Sequence, residues 1–384
     1  LQVKYINKDS LTPQVIPMKR TGLLLFIFFV AISSIAQNFF REDFDTQSRY
    51  VILTNPTVKN ILAIQFFLTN KILDINQKKV KFVGVYHEGQ NYDFSKTRDY
   101  LIENRVENFY LHEVRGLLQP DNLFTVNAAT NDFKTIFTHS TGILFFGGPD
   151  LPPAVYGEEN RYALVTDPVR HYFEVSFLFH LLGGYQDETY APLLENNPGY
   201  LITGFCLGMQ TLNVATGGTL VQDIPAEIYG IEGPQEILKS ERDNLHRNYW
   251  QELVKDSLLM GINFHCIQFT NHPFFGSTLK LNKKQHPRVY SSHHQAVEKM
   301  GRNLEITALS MDGKIIEGIA HSKYPHVFGI QFHPEVPALY EDREKRKFHP
   351  DDTPETYNNL IGKQSVRFHK RFWKHISRIL QTAE

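Results

Sequence analysis

This sequence predicts an α/β fold, a three-layer αβα sandwich with a mostly parallel central sheet, and two observations carry that expectation. Short runs rich in β-branched and aromatic residues alternate with longer segments whose apolar residues recur at helical spacing. Several of those runs end in a glycine turn or pass directly into a helix, as strand–turn–helix units do when parallel strands lie side by side with helices on both faces. In such sheets chemistry sits beyond the carboxyl ends of the strands, so the residues there carry the functional reading.

In chain order, "YVILTNPTVKNILAIQFFLTNKIL" reads as a strand followed by a helix. "VKFVGVY" (80–86) is a β-branched strand, and "FSKTRDYLIENRVENF" has the helical spacing of Leu101, Ile102 and Val106. "ENFYLHEV" is a further strand, and "TGILFFGGPD" is a buried strand ending in a Gly-Gly turn. "GYLITGFC" runs straight into "LGMQTLNVATGG", a helix closed by Gly217 and Gly218. "HVFGIQFHPEV" is again a strand, and the basic C-terminal stretch has the spacing of an outer helix packing Phe368, Phe372 and Ile376 inward. No repeat or low-complexity linker divides the chain, which predicts one domain over 37–384 with a variable insertion around 226–277.

With 384 residues, 42% of them hydrophobic, the chain can bury a sizeable core. A formal net charge of −1 offers no electrostatic footprint for nucleic acid or an anionic membrane, which leaves a small molecule or peptide as the expected substrate. From Met18 the chain reads "MKRTGLLLFIFFVAISSIAQ", with a basic pair, an apolar run and small residues Ser34 and Ala36. This predicts a secretory signal over 18–36, cleaved between Ala36 and Gln37, with 1–17 as upstream sequence; the expected product is exported and keeps no membrane span.

Cys206 stands at the junction of a buried strand and a helix, between Gly204 and Gly208 in the spacing G-x-C-x-G. A nucleophile on such an elbow sits on a strained turn where glycines remove clashing side chains. The helix N-terminus supplies positive partial charge and free N–H groups for a thiolate and an oxyanion. The bland alternative is a buried, inert thiol. A thiolate nucleophile needs a base, and the base needs an orienting acceptor. His333 and Glu335 in "GIQFHPEV" lie two residues apart on the expected strand, so both project to one face.

Together, "GFCLGMQ", "GILFFGGPDLPPAVYGE" and "GIQFHPEV" resemble the class I glutamine amidotransferase-like superfamily, in particular its free-standing γ-glutamyl hydrolase branch, peptidase family C26. The likeness covers roughly residues 80–340. It implies a flavodoxin-like fold with Cys206 as nucleophile, His333 as base and Glu335 as its orienter. Gly148 and Leu207 match the positions whose N–H groups form the oxyanion hole. Gln210, Gly147 and His293, the last within "VYSSHHQAV", match positions at the substrate. Arg170 in "TDPVRH" is read as a solvated helix-start arginine, with a substrate carboxylate as its other possible partner.

The implied activity is cysteine-dependent hydrolysis of γ-glutamyl amides or peptides through a γ-glutamyl thioester, with release of glutamate. The alternative is a glutaminase domain delivering ammonia to a synthetase. Neither needs a cofactor. His293 and His294 are adjacent on a strand and point to opposite faces, so they are not expected to chelate one ion, and no metal is expected. The leaving amine and the oligomeric state are open, a homodimer being one option. Cys266 is read as a packed thiol out of reach of Cys206.

Overall fold

The structure, a computed structural model, describes residues 38–382 apart from 43 and 283. The expected signal at 18–36 and its cleavage point lie outside the described residues. Among the described residues no helix is long and apolar enough to cross a membrane.

The first half of the chain alternates strands and helices: β1 (Arg49–Thr54), α1 (Val58–Thr69), β2 (Val80–His87), α2 (Ser95–Glu103), β3 (Phe109–Val114), α3 (Thr130–Thr138), β4 (Gly142–Phe145), α4 (Pro168–Leu182), β5 (Leu201–Phe205) and α5 (Leu207–Ala215). The second half is strand-rich: β6 (Leu220–Val221), β7 (Asn263–Phe269), β8 (Arg288–Ser291), β9 (Ala296–Val297), β10 (Leu304–Ser310), β11 (Ile316–His321) and β12 (Val327–Ile330), closed by α6 (Lys363–Thr382). Local chemistry sets the helix starts. Thr57 caps α1 by accepting from the Asn60 N–H, and Asp167 caps α4 ahead of Pro168, whose fixed φ suits the first helical position.

Among the described residues, ten strands form one sheet in the order β3-β2-β1-β4-β5-β12-β11-β10-β7-β8. The pairs from β3 to β12 are parallel, and those from β12 to β8 are antiparallel. Without the edge strand β3, the parallel part has the 2-1-3-4-5 order of flavodoxin-like sheets. Alternation along the strands feeds two cores: Tyr50 and Ile52 of β1 pack with α3, α4 and α5, while Val51 and Leu53 pack with α1 and α6. The three-layer α/β expectation stands, and α6 buries Phe368, Phe372 and Ile376 as its spacing predicts.

The segment 226–277 is more than an insertion. Its β7 belongs to the main sheet, between β10 and β8. Its Ile237, Tyr249, Met260 and Phe264 build a smaller core with Leu339 and Phe348. Through β7 the expected insertion shares in the antiparallel strands that extend the sheet beyond β12.

Candidate functional site

Parallel strands β4, β5 and β12 deliver their carboxyl ends to one place. At the end of β5, Cys206 has φ 51° and ψ −106°, a left-handed backbone that a side chain adopts only when its surroundings impose it. The two flanking glycines explain how the elbow closes. A Cβ on Gly204 would lie 2.3 Å from the Gly208 carbonyl carbon, and one on Gly208 would lie 2.3 Å from the Phe145 carbonyl oxygen. The Cys206 N–H donates to the Ile330 oxygen of β12 at 2.8 Å, which ties the elbow to the next strand.

His333 and Glu335 differ from their expected setting. β12 ends at Ile330, so the pair stands on the turn beyond the strand rather than on it. Their relation comes from that turn: His333 Nδ1 donates to Glu335 Oε1 at 2.7 Å. The His333 backbone N–H is held by the Tyr290 oxygen at 3.0 Å. The Pro334 carbonyl between them accepts from Trp373 Nε1 at 2.9 Å and from the Tyr340 hydroxyl at 2.5 Å. The Cys206 thiol lies close enough to the ring to act on its charge. Burial opposes charge on the imidazole, but Glu335 and Cys206 together outweigh it and push its pKa up to about 10.

Behind the thiol lies a residue that the sequence reading did not single out. Gln331 Nε2 approaches Cys206 Sγ at 3.6 Å, and its Oε1 accepts from Gln210 Nε2 at 3.3 Å. Gln210 also donates to the Gln295 carbonyl and is 3% exposed, so it stands behind the nucleophile instead of in the open cleft. Period-two spacing from His333 was the signal for Gln331 in "GIQFHPEV".

Gly147 and Gly148 follow β4 and face the pair. A Cβ on Gly147 would lie 2.7 Å from His333 Cε1 and 3.6 Å from Cys206 Cβ, and one on Gly148 would lie 2.0 Å from an Arg170 guanidinium nitrogen. Arg170 is thus neither solvated nor in the open cleft. It is 3% exposed, donates to the Phe146 and Gly147 carbonyls at 2.9 and 3.1 Å, and pairs with buried Glu174 at 3.1 Å. Its charge braces the Gly-Gly loop from below. Leu207 opens α5, where first-turn N–H groups have no partner within the helix.

Cys206, Gly147, Gly148, His333 and Glu335 line a cleft of about 1180 Å³ whose opposite wall is α1, with Lys59 and Arg343 at its margin. His293 is placed elsewhere. The strand ends at Ser291, and the His293 ring is buried beside His246, His265 and Glu317, where burial and the neighbouring ring of His246 hold its pKa well below the usual value. His294 turns the other way and bridges Asp150 and Asp223 at 2.9 and 3.0 Å, so the two histidines do not share an ion. Cys266 on β7 and Cys206 are both free thiols.

Comparison with known proteins shows the family of the chain. The model of the Peptidase C26 family matches residues 82–335. The chain is 30% identical to the glutamine amidotransferase-like protein YvdE of Lactococcus lactis subsp. lactis, over 57% of this chain and 76% of that one. It is 26% identical to the chloroplastic anthranilate synthase beta subunit 2 of Arabidopsis thaliana, over 37% of this chain and 41% of that one. A solved structure of a GMP synthase protein from Thermoplasma acidophilum aligns with TM-score 0.34 at 10% identity, over 77% of this chain and 92% of that one.

Proposed function

Because this chain belongs to the peptidase C26 family of class I glutamine amidotransferase-like hydrolases, we propose that it cleaves γ-glutamyl amide bonds with Cys206 as nucleophile. One observation carries the reading: a cysteine on a strained elbow meets an imidazole whose far nitrogen is committed to a carboxylate at 2.7 Å, at the floor of an open cleft. With Nδ1 held by Glu335, Nε2 is the ring nitrogen left to serve the thiol.

The chemistry follows from these positions. The Cys206 thiolate attacks the γ-carbonyl carbon, and the N–H groups of Gly148 and Leu207 receive the developing oxyanion. His333 hands its proton to the departing amine as the C–N bond breaks, leaving a γ-glutamyl thioester. Water then gives its proton to His333 and attacks that thioester, which releases glutamate and regenerates the thiol. Lys59 and Arg343 at the cleft margin supply positive charge for the carboxylates of such a substrate. The leader-like stretch at 18–36 supports an exported enzyme, which N-terminal sequencing of the native protein tests.

The glutamine amidotransferase-like name of the Lactococcus lactis relative supports a second reading, glutamine hydrolysis with ammonia passed to a partner. Steady-state assays with γ-glutamyl peptides, γ-glutamyl-γ-aminobutyrate, polyglutamyl folate and glutamine separate the two. Preferred turnover of γ-glutamyl amines or peptides supports the hydrolase. Turnover of glutamine alone replaces it with the glutaminase, and no turnover of any of them by a folded wild type overturns both.

A further inference from the structure

Four buried side chains that this reaction does not use converge away from the cleft. His246 lies in the loop ahead of β7, His265 is on β7, His293 is in the loop after β8 and Glu317 is on β11. One potential ligand atom from each lies within 4.8 Å of all the others. None of the four is more than 4% exposed. His265 Nε2, His293 Nε2, both nitrogens of His246 and both oxygens of Glu317 have no hydrogen-bond partner. An interior carboxylate left without a partner is among the costliest groups a fold can hold, and a cation at the centre of the cluster removes that cost.

The rings are also turned for ligation. His265 Nδ1 bonds the Cys266 carbonyl at 3.1 Å and His293 Nδ1 bonds the Gln295 carbonyl at 2.8 Å. Each bond commits the ring proton to Nδ1 and leaves the Nε2 lone pair facing the centre, the outer arrangement found around metal-bound histidines. From Glu317 Oε1 the distances are 3.2 Å to His246 Nδ1, 3.5 Å to His265 Nε2 and 3.9 Å to His293 Nε2. Ligand atoms about 2.0–2.1 Å from a tetrahedral ion lie about 3.3–3.4 Å from one another, so the cluster has the dimensions of such a site. A direct hydrogen-bond network explains it less well, since the shortest of these pairs is misaligned and the others are long.

We propose that His246, His265, His293 and Glu317 bind one divalent transition-metal ion, with Zn²⁺ favoured by three imidazoles and one carboxylate in a tetrahedral set. Four buried protein ligands leave no position open to substrate, so the ion is structural. It fastens the segment 226–277 to the sheet. His246 already receives the His293 N–H and the Ser291 hydroxyl on its carbonyl, and Glu317 receives the Gln331 N–H, whose side chain reaches Cys206.

The full chain, purified without chelator, tests this by elemental analysis and by thermal melts with and without a strong chelator. The expected result is about one zinc per chain, a lower Tm after chelation that added Zn²⁺ restores, and an intense visible band when Co²⁺ replaces it. His265→Gln and Glu317→Gln should each weaken retention about tenfold or more, while Cys206→Ser keeps the ion. A wild type that takes up less than a tenth of an equivalent after incubation with Zn²⁺, with an unmoved Tm, overturns the proposal. A Co²⁺ band that survives in His265→Gln and vanishes in Cys206→Ser also overturns it, because the ion then belongs to the cleft. Where a variant fails to fold, the wild-type zinc content and Co²⁺ band decide alone. All these readouts are independent of turnover, so they stand or fall apart from the proposed hydrolysis.

Discussion

Trp373 donates its indole N–H to the carbonyl oxygen of Pro334 at 2.9 Å, so a helix near the chain's C-terminus holds the one residue that separates His333 from Glu335. The indole is fully buried and packs on Phe67 of α1, which also brackets the cleft. Removing the donor while keeping most of the ring should loosen the turn without emptying the core. Trp373→Phe is expected to lose about 1–3 kcal/mol of stability and to lower kcat more than it raises KM. A denaturant melt paired with steady-state kinetics checks it. A variant that loses stability at unchanged kcat would show that the indole bond does not position His333.

The φ of 51° at Cys206 makes a second expectation. Strain of this kind costs about 1–3 kcal/mol and persists where the site needs it, and glycine bears it at little cost. Cys206→Gly should therefore melt at least as high as Cys206→Ala, although it removes one more carbon, and both should lack turnover. A Cys206→Gly that melts well below Cys206→Ala would show that the elbow is unstrained.

The elbow is legible in the sequence because its parts are contiguous: two glycines, a cysteine and a helix start occupy five residues. The His333 and Glu335 pair is legible for the same reason, although the turn that brings them together reads as strand. What joins across long separations is not. Arg170 reads as solvated because nothing local shows that the Gly-Gly loop, more than twenty residues earlier, wraps its guanidinium. The cluster of His246, His265, His293 and Glu317 spans three antiparallel connections and follows no spacing rule, so only the sheet reveals it. The stretch around Cys266 reads as a strand or buried loop, but its place in the sheet between β10 and β8 is not legible, because antiparallel pairing across such separations follows no local spacing.

Glycine contacts around the elbow predict a sharp contrast. Gly208→Ala would force a Cβ to within 2.3 Å of a backbone oxygen and 2.8 Å of Phe145 Cβ, neither of which is a flexible side-chain tip. It should cost about 3 kcal/mol or more, or yield insoluble protein. Gly199→Ala is the control, since its Cβ would meet only Asn197 Oδ1 at 3.7 Å and Gly199 has no positive φ; it should stay within about 0.5 kcal/mol of wild type. Equal melts for the two variants would contradict the packing of α5 on β4.

The pKa of His333, pushed up to about 10, sets the pH behaviour. The folded value lies above the ordinary histidine value of 6.5, so folding favours the charged ring. The resulting stabilisation is complete below about pH 6.5 and is lost as pH rises through about 10. The same proton serves the leaving amine, so kcat/KM should hold through neutral pH and fall on the alkaline side as the imidazolium empties. Burial works against the charge, and Glu335 is the largest influence in its favour. Glu335→Gln keeps the volume and an acceptor for Nδ1 but removes the charge, and should move the alkaline limb to lower pH by about 1–3 units. Measurable turnover should remain, because an orienting group contributes less than the nucleophile. A pH profile of kcat/KM for both proteins checks this, with ring NMR of His333 as a readout that a merely structural role would leave in place. An alkaline limb that stays put in Glu335→Gln would mean that the carboxylate does not govern the proton on His333.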